Sequence, residues 1–262
     1  MKIVVIGGTG LIGSKLVTKL TEHEREVVPA SPRLGINSIT GEGLAEAMVG
    51  TSVVVDVSNS PNFEYETALE FFRTSTHNLL AAEQAAGVGH HVALSVVGTA
   101  NLAEGGDLAT TTAGYFKAKL TQEEMIRASG IPFSIVHATQ FFEFITSIAD
   151  ASTIDGVVRV PPVLFQPMAA DDVAAGVGRV AIGAAVNGLV EIGGPERFQF
   201  DEPIHRALAA SKDPRPVVTD PNAGYYGIKV TERTLVPRDG ARLGEIPLDD
   251  WIRMSAPTPA AV

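Results

Sequence analysis

A tyrosine and a lysine four positions apart are the residues of this sequence best suited to proton transfer. Tyr115 and Lys119 fall in the segment GYFKAK, near the start of a helix predicted over Thr112–Ser129. Residues at i and i+4 share a helix face. A nearby ammonium favours the phenolate form and lowers the tyrosine pKa from about 10. We therefore expect Tyr115 to give or take a proton at a carbonyl that exchanges hydride; an ordinary surface pair is the alternative.

A glycine-rich turn near the amino terminus indicates a phosphate site. Gly7, Gly10 and Gly13 recur at constant spacing between a predicted strand, Lys2–Ile6, and a helical pattern over about Gly10–Glu22. Missing Cβ atoms let a pyrophosphate approach the backbone, and a helix N-terminus offers N–H donors and a positive dipole end. This strand–turn–helix context favours a dinucleotide site over an ordinary tight turn.

The end of the second predicted strand, Glu26–Ala30, distinguishes the two nicotinamide dinucleotides. An acid about 20 residues after the glycines would bind the ribose 2′-hydroxyl and repel a 2′-phosphate. Ser31 and Arg33 stand there instead, and a hydroxyl with a guanidinium suits the phosphate. We expect NADP(H) in preference to NAD(H), with an ordinary surface arginine as the alternative.

Small polar residues follow two further predicted strands. Ser58 and Asn59 come after the strand Ser52–Val57, at the rim along which ligands bind in doubly wound sheets. We expect them at the adenine-ribose half of the cofactor, unless they only form the loop. Ser95 lies at the end of the strand His91–Val96 and is a candidate to polarise a substrate carbonyl beside the tyrosine. A rim serine without that role is the alternative.

Histidine and phenylalanine residues near strand ends give weaker indications. His90 and His91 are neighbours at a strand entry and should face opposite sides of the sheet, and we expect no metal site. His137, near a strand end that faces the expected site, is expected to be a polar residue with its hydrogen bonds satisfied; contact with a ligand is the alternative. Phe141, at the start of a helix predicted over Phe141–Ala151, is a candidate ring for the nicotinamide pocket.

Strands and helices alternate through the first half of the chain, and this alternation sets the expected fold. It predicts an α/β Rossmann fold, a doubly wound parallel sheet with right-handed crossovers. We expect a single domain over residues 1–262, with residues 1–137 as the dinucleotide-binding core and residues 138–262 as a smaller C-terminal α/β part that forms the substrate pocket. The remaining predicted elements are helices over Gly43–Val49, Tyr65–Ala86 and Asp171–Ile182, strands over Phe133–His137, Val157–Val160, Leu164–Pro167 and Leu189–Ile192, and a loop over Gly98–Thr111.

Composition excludes several classes of function. The net charge of −10 disfavours a nucleic-acid partner, and the absence of cysteine rules out disulfides and thiolate catalysis. No segment approaches the roughly 20 apolar residues that span a membrane. We expect a soluble, cytoplasmic protein with a small-molecule substrate, no membrane partner and an oligomeric state that the sequence leaves open.

Six segments, taken in order along nearly the whole chain, resemble landmarks of one family. They are GGTGLIG, SNSP, GYFKAK, HATQFFEF, QPMAADDVAAG and EIGGPERF. Together they resemble the NmrA-like family of atypical short-chain dehydrogenases/reductases, in the NAD(P)-binding Rossmann superfamily. The resemblance implies a Rossmann domain with Tyr115 and Lys119 as the dehydrogenase pair, and it gives Lys119 a second role on the nicotinamide ribose. It also implies that NADP(H) is held by Gly7, Thr9, Gly10, Leu11, Ile12, Gly13 and Arg33.

Two functions are consistent with these residues. The first is an NADPH-dependent oxidoreductase that transfers hydride to a small carbonyl, quinone or other conjugated acceptor. The second is a non-catalytic, NADP(H)-binding redox sensor that acts through a protein partner, as the family also implies. Two departures from the family pattern bear on this choice. His137 stands where relatives often have arginine, and Ser95 is followed by the apolar Val96 and Val97 where a second hydroxyl would be expected.

Overall fold

The computed structural model describes residues 1–108 and 112–255. Its strands are β1 (Lys2–Ile6), β2 (Glu26–Ala30), β3 (Thr51–Asp56), β4 (His90–Val96), β5 (Phe133–Ala138), β6 (Thr153–Ile154), β7 (Val157–Val160), β8 (Leu164–Phe165), β9 (Gly188–Gly193), β10 (Phe198–Gln199), β11 (Val217–Thr219) and β12 (Arg242–Leu243). Its helices are α1 (Leu11–Glu22), α2 (Leu44–Met48), α3 (Tyr65–Ala86), α4 (Thr99–Glu104), α5 (Ala113–Ala128), α6 (Ile145–Ala151), α7 (Ala170–Ala181), α8 (Asp201–Ala210) and α9 (Leu248–Ser255).

A seven-stranded sheet of the described residues forms the centre of the fold. Its strand order is β12–β9–β5–β4–β3–β1–β2, and neighbouring strands pair in parallel throughout. The chain runs from β1 to β2 on one side and then crosses to β3 on the other, which makes the β1–β3 boundary the topological switch point. Ligands of doubly wound sheets bind at such a point, beyond the carboxyl ends of the strands. The doubly wound parallel sheet predicted from the sequence is confirmed.

Alternate side chains of the buried strands pack against two different layers of helices. Ile3 and Val5 of β1 pack toward α1 and α7, whereas Val4 and Ile6 face the layer of α2 and α3. All four side chains are almost completely buried, as expected for a central parallel strand. The glycines of α7 allow its close approach, since a Cβ on Gly176 would press on a side chain of β9.

The C-terminal part adds two small sheets, β10–β8 and β11–β7–β6, and shares a hydrophobic cluster with α4 and α5. Aromatic and aliphatic residues of this cluster, such as Phe142, Phe165 and Phe200, are fully buried. This packing lies at the same end of the molecule as the cavity described below, because Tyr225 belongs both to the cluster and to the cavity wall. In the described ranges, the helices are too short or too polar to cross a membrane.

Two predicted elements differ from the structure. The segment Gly98–Thr111, predicted as a loop, contains α4, because Leu102 and Ala103 are buried in the core and hold one helical face; residues 109–111 lie outside the described ranges. The helix predicted over Phe141–Ala151 is divided into a 3₁₀ turn, Phe142–Phe144, and α6.

A buried carboxylate fastens the end of the chain to the central layer. Asp172 in the first turn of α7 is 8% exposed, and its Oδ2 accepts the backbone N–H groups of Glu245 (3.0 Å) and Ile246 (2.9 Å). The neighbouring Asp171 forms a partly exposed ion pair with Lys15 of α1 at 2.8 Å. The two adjacent acids therefore differ in burial but share the same helix turn.

Asp172→Ala should lower the free energy of unfolding by about 1–3 kcal/mol, since two partly buried backbone N–H groups lose a charged acceptor. Asp171→Ala should lower the free energy of unfolding by less than about 1 kcal/mol, because its ion pair is partly solvated. Both changes remove one carboxylate from the N-terminal turn of α7, so helix-dipole effects largely cancel in the comparison. Urea denaturation followed by circular dichroism measures the difference, and equal losses for the two variants would contradict the anchoring role.

Candidate functional site

The glycine turn has the geometry that a bound phosphate requires. Gly7 has φ +77°, and a Cβ there would come within 2.9 Å of the Ser58 backbone. Gly13 packs so closely on Gly7 that a Cβ would overlap its carbonyl oxygen. Gly10 is the N-cap of α1, and no side chain of the described residues caps this helix end. The first-turn N–H groups are thus left for a ligand, and a pyrophosphate fits them.

The end of β2 presents a buried hydroxyl to the same space. Ser31 lines the cavity and is 6% exposed, and its Oγ has no hydrogen-bond partner among residues 1–108 and 112–255. A buried hydroxyl without a partner is unfavourable unless a ligand or water pairs with it. Arg33 follows in a 3₁₀ turn, Pro32–Leu34, where it is exposed and does not line the cavity.

A buried acid, Asp56, organises the loop after β3. Its Oδ1 accepts the backbone N–H of Ser58 at 2.9 Å and the Ser58 hydroxyl at 2.6 Å. Its Oδ2 accepts the side-chain amide of Gln122, on α5, at 2.9 Å. The sequence predicts Ser58 and Asn59 as residues of this site but does not predict Asp56 and Gln122. The available signal was a single acid at the end of an otherwise apolar strand.

Tyr115 points into the cavity from the start of α5. Its hydroxyl donates to Oδ1 of Asn59 at 2.9 Å, and its ring packs edge-on against Phe63 with centroids 4.9 Å apart. Burial raises the pKa of Tyr115, and the Asn59 hydrogen bond only partly opposes this. The prediction that Lys119 lowers the tyrosine pKa is therefore wrong for this structure: the phenol is held protonated and is bonded to an amide.

Lys119 lines the same cavity but directs its ammonium elsewhere. Its Nζ donates to the carbonyl oxygen of Leu94 at 2.8 Å and to Oε1 of Gln122 at 2.5 Å. Burial lowers the pKa of Lys119 to about 8, against the opposing influence of the Asp56 and Glu123 carboxylates. The shared helix face is as predicted, yet the ammonium is hydrogen-bonded to α5 and β4 rather than to the tyrosine.

Ser95 belongs to a buried polar cluster beside the cavity. Its hydroxyl donates to Oε1 of Glu123 at 2.6 Å, and Nε2 of His137 lies 2.8 Å from the same oxygen. Arg127 donates to the other carboxylate oxygen at 2.9 Å. Burial alone would raise the pKa of Glu123, but the bonds from His137, Ser95 and Arg127 lower it to about 2. His137 is satisfied, as expected, and the catalytic role suggested for Ser95 stays a prediction.

The residues after β5 form a part of the wall that sequence reasoning largely missed. Thr139 and Gln140 line the cavity, and the Thr139 hydroxyl and both amide atoms of Gln140 are buried without a hydrogen-bond partner in the described chain. Phe141, the candidate ring, also lines the cavity and stacks on Phe144 with centroids 5.6 Å apart. Polar residues directly after a buried strand, at the ligand-binding rim, were the signal for the first two.

These walls enclose one cavity of about 920 Å³, large enough for a dinucleotide and a small second ligand. Most of the residues proposed from the sequence meet there. Gly13 and Arg33 are the two that do not line it; Gly13 instead lets α1 pack on the glycine turn. The proposed residues that line it are Gly7, Thr9, Gly10, Leu11, Ile12, Ser31, Ser58, Asn59, Ser95, Tyr115 and Lys119.

Comparisons with known proteins agree with this fold. A family model described as NAD(P)H-binding matches residues 36–157, less than half of the chain. A comparison with curated proteins gives no match. A short-chain dehydrogenase/reductase superfamily protein from Agrobacterium tumefaciens, solved with bound NAD, is similar at TM-score 0.69 and 19% identity, over 98% of this chain and 96% of that chain.

Two further solved structures are similar over almost their full length. A dTDP-4-dehydrorhamnose reductase from Clostridium acetobutylicum has TM-score 0.68 and 16% identity, covering 97% of this chain and 98% of that chain. A UDP-glucose 4-epimerase from Thermotoga maritima, solved with UDP-glucose, has TM-score 0.69 and 13% identity, covering 98% and 97%. Such low identities establish a likeness of fold. With the matching family model, they support an NAD(P)-binding Rossmann-type domain with neighbours in the short-chain dehydrogenase/reductase and epimerase superfamily.

The Glu123 cluster predicts a distinct acid response. Because the folded-state pKa lies below the ordinary value, ionised Glu123 stabilises the fold above about pH 4.5, and this contribution disappears as the pH falls toward about 2. Glu123→Gln should be less stable than the wild type at pH 7, and the gap should shrink between pH 5 and pH 3. Urea denaturation at several pH values measures it. Glu124→Gln, at the exposed neighbour, is the control; a gap independent of pH, or the same gap in the control, would contradict the assignment.

Proposed function

We propose that this protein is an NADPH-dependent oxidoreductase of the NmrA-like, short-chain dehydrogenase/reductase type, which transfers hydride to a small carbonyl, quinone or other conjugated acceptor. One observation carries the proposal: the glycine turn and the pair Tyr115 and Lys119 line a single cavity. A dinucleotide site and a proton donor placed in one enclosed space are the two parts that carbonyl reduction needs.

The residues present fit a nicotinamide dinucleotide. The uncapped start of α1 would hold the pyrophosphate, and the unpaired Ser31 hydroxyl would bond the adenosine ribose or its phosphate. The unpaired polar atoms of Thr139 and Gln140 offer further donors and acceptors at the rim beside β5. When bound, reduced nicotinamide supplies the hydride. The protein has to bind it, exclude water and provide the proton.

Tyr115 is the group placed to provide that proton. Its hydroxyl is protonated at neutral pH because burial raises its pKa, so it can donate to the oxygen of a carbonyl whose carbon accepts hydride. The carbonyl oxygen thus becomes the hydroxyl of the product, and the tyrosinate regains a proton from solvent. Lys119, one turn along the same face, carries a positive charge below about pH 8, and it would bond a hydroxyl of the bound cofactor rather than the tyrosine.

The walls of the cavity favour an uncharged, conjugated acceptor. Among the described lining residues, Lys119 is the only one with a charged side chain, and six phenylalanine and tyrosine rings besides Tyr115 and Phe116 share the surface with aliphatic groups. The epimerase neighbour was solved with UDP-glucose, whose diphosphate is usually bound by cationic side chains. A flat carbonyl or quinone matches these walls better than a second nucleotide does.

Tyr115→Phe should lower kcat with a quinone or aldehyde by about 10²-fold or more, since the proton donor is lost while the ring is kept. The Kd for NADPH should change less than about threefold. Tyr65→Phe, at a tyrosine outside the cavity, should change neither quantity. Acceptor-dependent loss of NADPH absorbance measures turnover, and calorimetric titration measures binding. Unchanged turnover in Tyr115→Phe would disprove the proton-donor role.

We propose NADP(H) as the cofactor because β2 ends at Ala30 and is followed by Ser31 and Arg33, with no acid in this segment. Arg33→Ala should raise the Kd for NADPH about tenfold and leave the Kd for NADH nearly unchanged, as expected for a phosphate-binding guanidinium. Arg25→Ala, an exposed arginine at the opposite end of β2, is the control. Tighter binding of NADH than NADPH by the wild type, or equal effects of both substitutions, would refute the preference.

A second candidate function is a redox sensor that binds NADP(H) without turnover. It is favoured by the arrangement of the proton-transfer groups, since Tyr115 is bonded to Asn59 and the Ser95 hydroxyl to Glu123. Incubation with NADPH and a panel of quinones and aldehydes separates the two functions. Acceptor-dependent oxidation supports the enzyme, whereas tight cofactor binding with no turnover supports the sensor.

A further inference from the structure

A tyrosine in a left-handed backbone conformation forms part of the cavity wall. Tyr225 and Ile228 exchange backbone hydrogen bonds of 2.9 and 3.0 Å around a two-residue turn. The central residues, Tyr226 and Gly227, have φ +49° and +80°. Two positive φ values are typical of a type I′ turn, for which Asn-Gly is the favoured pair. The turn itself therefore gives no reason for a bulky ring at position 226.

The contacts of the ring supply that reason. Tyr226 lines the cavity, packs edge-on against Tyr225 with centroids 4.9 Å apart, and brings its hydroxyl to 3.5 Å from Ser147 Oγ on α6. Ser147 lines the cavity as well. Burial raises the pKa of Tyr225, and the neighbouring phenols of Tyr226 and Tyr115 add to this increase. Tyr226 thus connects its own turn to α6, and both contribute to the wall of the cavity that Tyr115 also lines.

We propose that Tyr226 is a specificity-determining residue whose ring forms the outer wall of the acceptor site and holds a flat, conjugated acceptor by aromatic packing. The inference rests on the proposed function and extends it to the choice of acceptor. Unfavourable backbone conformations of this kind persist where the surrounding contacts require the side chain, as at ligand clamps. The ring, rather than the hydroxyl, provides the selectivity for the acceptor, because the hydroxyl makes only a long contact of 3.5 Å with Ser147 Oγ.

Tyr226→Asn separates the fold from the function, because asparagine suits the turn. We expect its urea midpoint to be equal to or above that of the wild type and its NADPH affinity to stay within about twofold. Its Kd for 1,4-naphthoquinone, titrated calorimetrically with NADP⁺ present so that no turnover occurs, should rise about tenfold. The KM for butanal, which has no ring to stack, should change less than about threefold. Tyr226→Phe should resemble the wild type in every measurement.

Lys212→Asn is the matched control, since Lys212 also has a left-handed backbone (φ +58°) but lies outside the cavity. It should reproduce the effect on stability without any change in naphthoquinone binding. An unchanged naphthoquinone Kd in Tyr226→Asn, an equal loss in Tyr226→Phe, or no naphthoquinone binding by the wild type would each overturn the role of the ring. Absence of turnover with every acceptor, while naphthoquinone still binds through Tyr226, would instead refute the proposed reductase and leave this binding site in place.

Discussion

The carboxylate of Asp56 is the constraint on which both halves of the cavity depend. It is 2% exposed and accepts three hydrogen bonds, two from Ser58 in the loop after β3 and one from Gln122 on α5. Gln122 also positions Lys119, because its amide oxygen accepts a hydrogen bond from the Lys119 ammonium. A buried charge is tolerated only when such bonds satisfy it, so the loop after β3 and the helix α5 are fixed relative to one another.

The same network explains how a lysine can remain in a nearly water-free position. Among residues 1–108 and 112–255, no carboxylate forms an ion pair with Lys119; a carbonyl, an amide and the face of Phe72, 4.6 Å from Nζ, surround its ammonium. Asp56 and Glu123 act on it from a greater distance, which leaves its pKa lowered to about 8. An ammonium has three donors, and two are used by the described residues. A ligand hydroxyl that enters the cavity can therefore bond Lys119 without displacing a salt bridge.

How far the sequence could predict this site depends on whether each signal is local. The glycine turn, its flanking strand and helix, and the shared face of Tyr115 and Lys119 are short-range features, and each is found where it was expected. The direction of the lysine was not predictable, since i, i+4 spacing fixes a face but not a hydrogen-bond partner. The partners of Glu123, on α5, were not predictable either. Ser95 and His137 lie on β4 and β5, and only the register of these two strands brings them together.

The residues furthest from prediction are those that the C-terminal part contributes to the cavity wall. Tyr225 and Tyr226 lie more than a hundred positions beyond Tyr115, in a segment with neither helical nor strand periodicity, and they reach the cavity only through the packing of α4, α6 and the C-terminal cluster. The turn after β1, by contrast, is a local feature, because its glycines alone allow the close backbone packing seen there. The cavity wall contributed by the C-terminal part therefore depends on tertiary contacts, which local sequence patterns describe least.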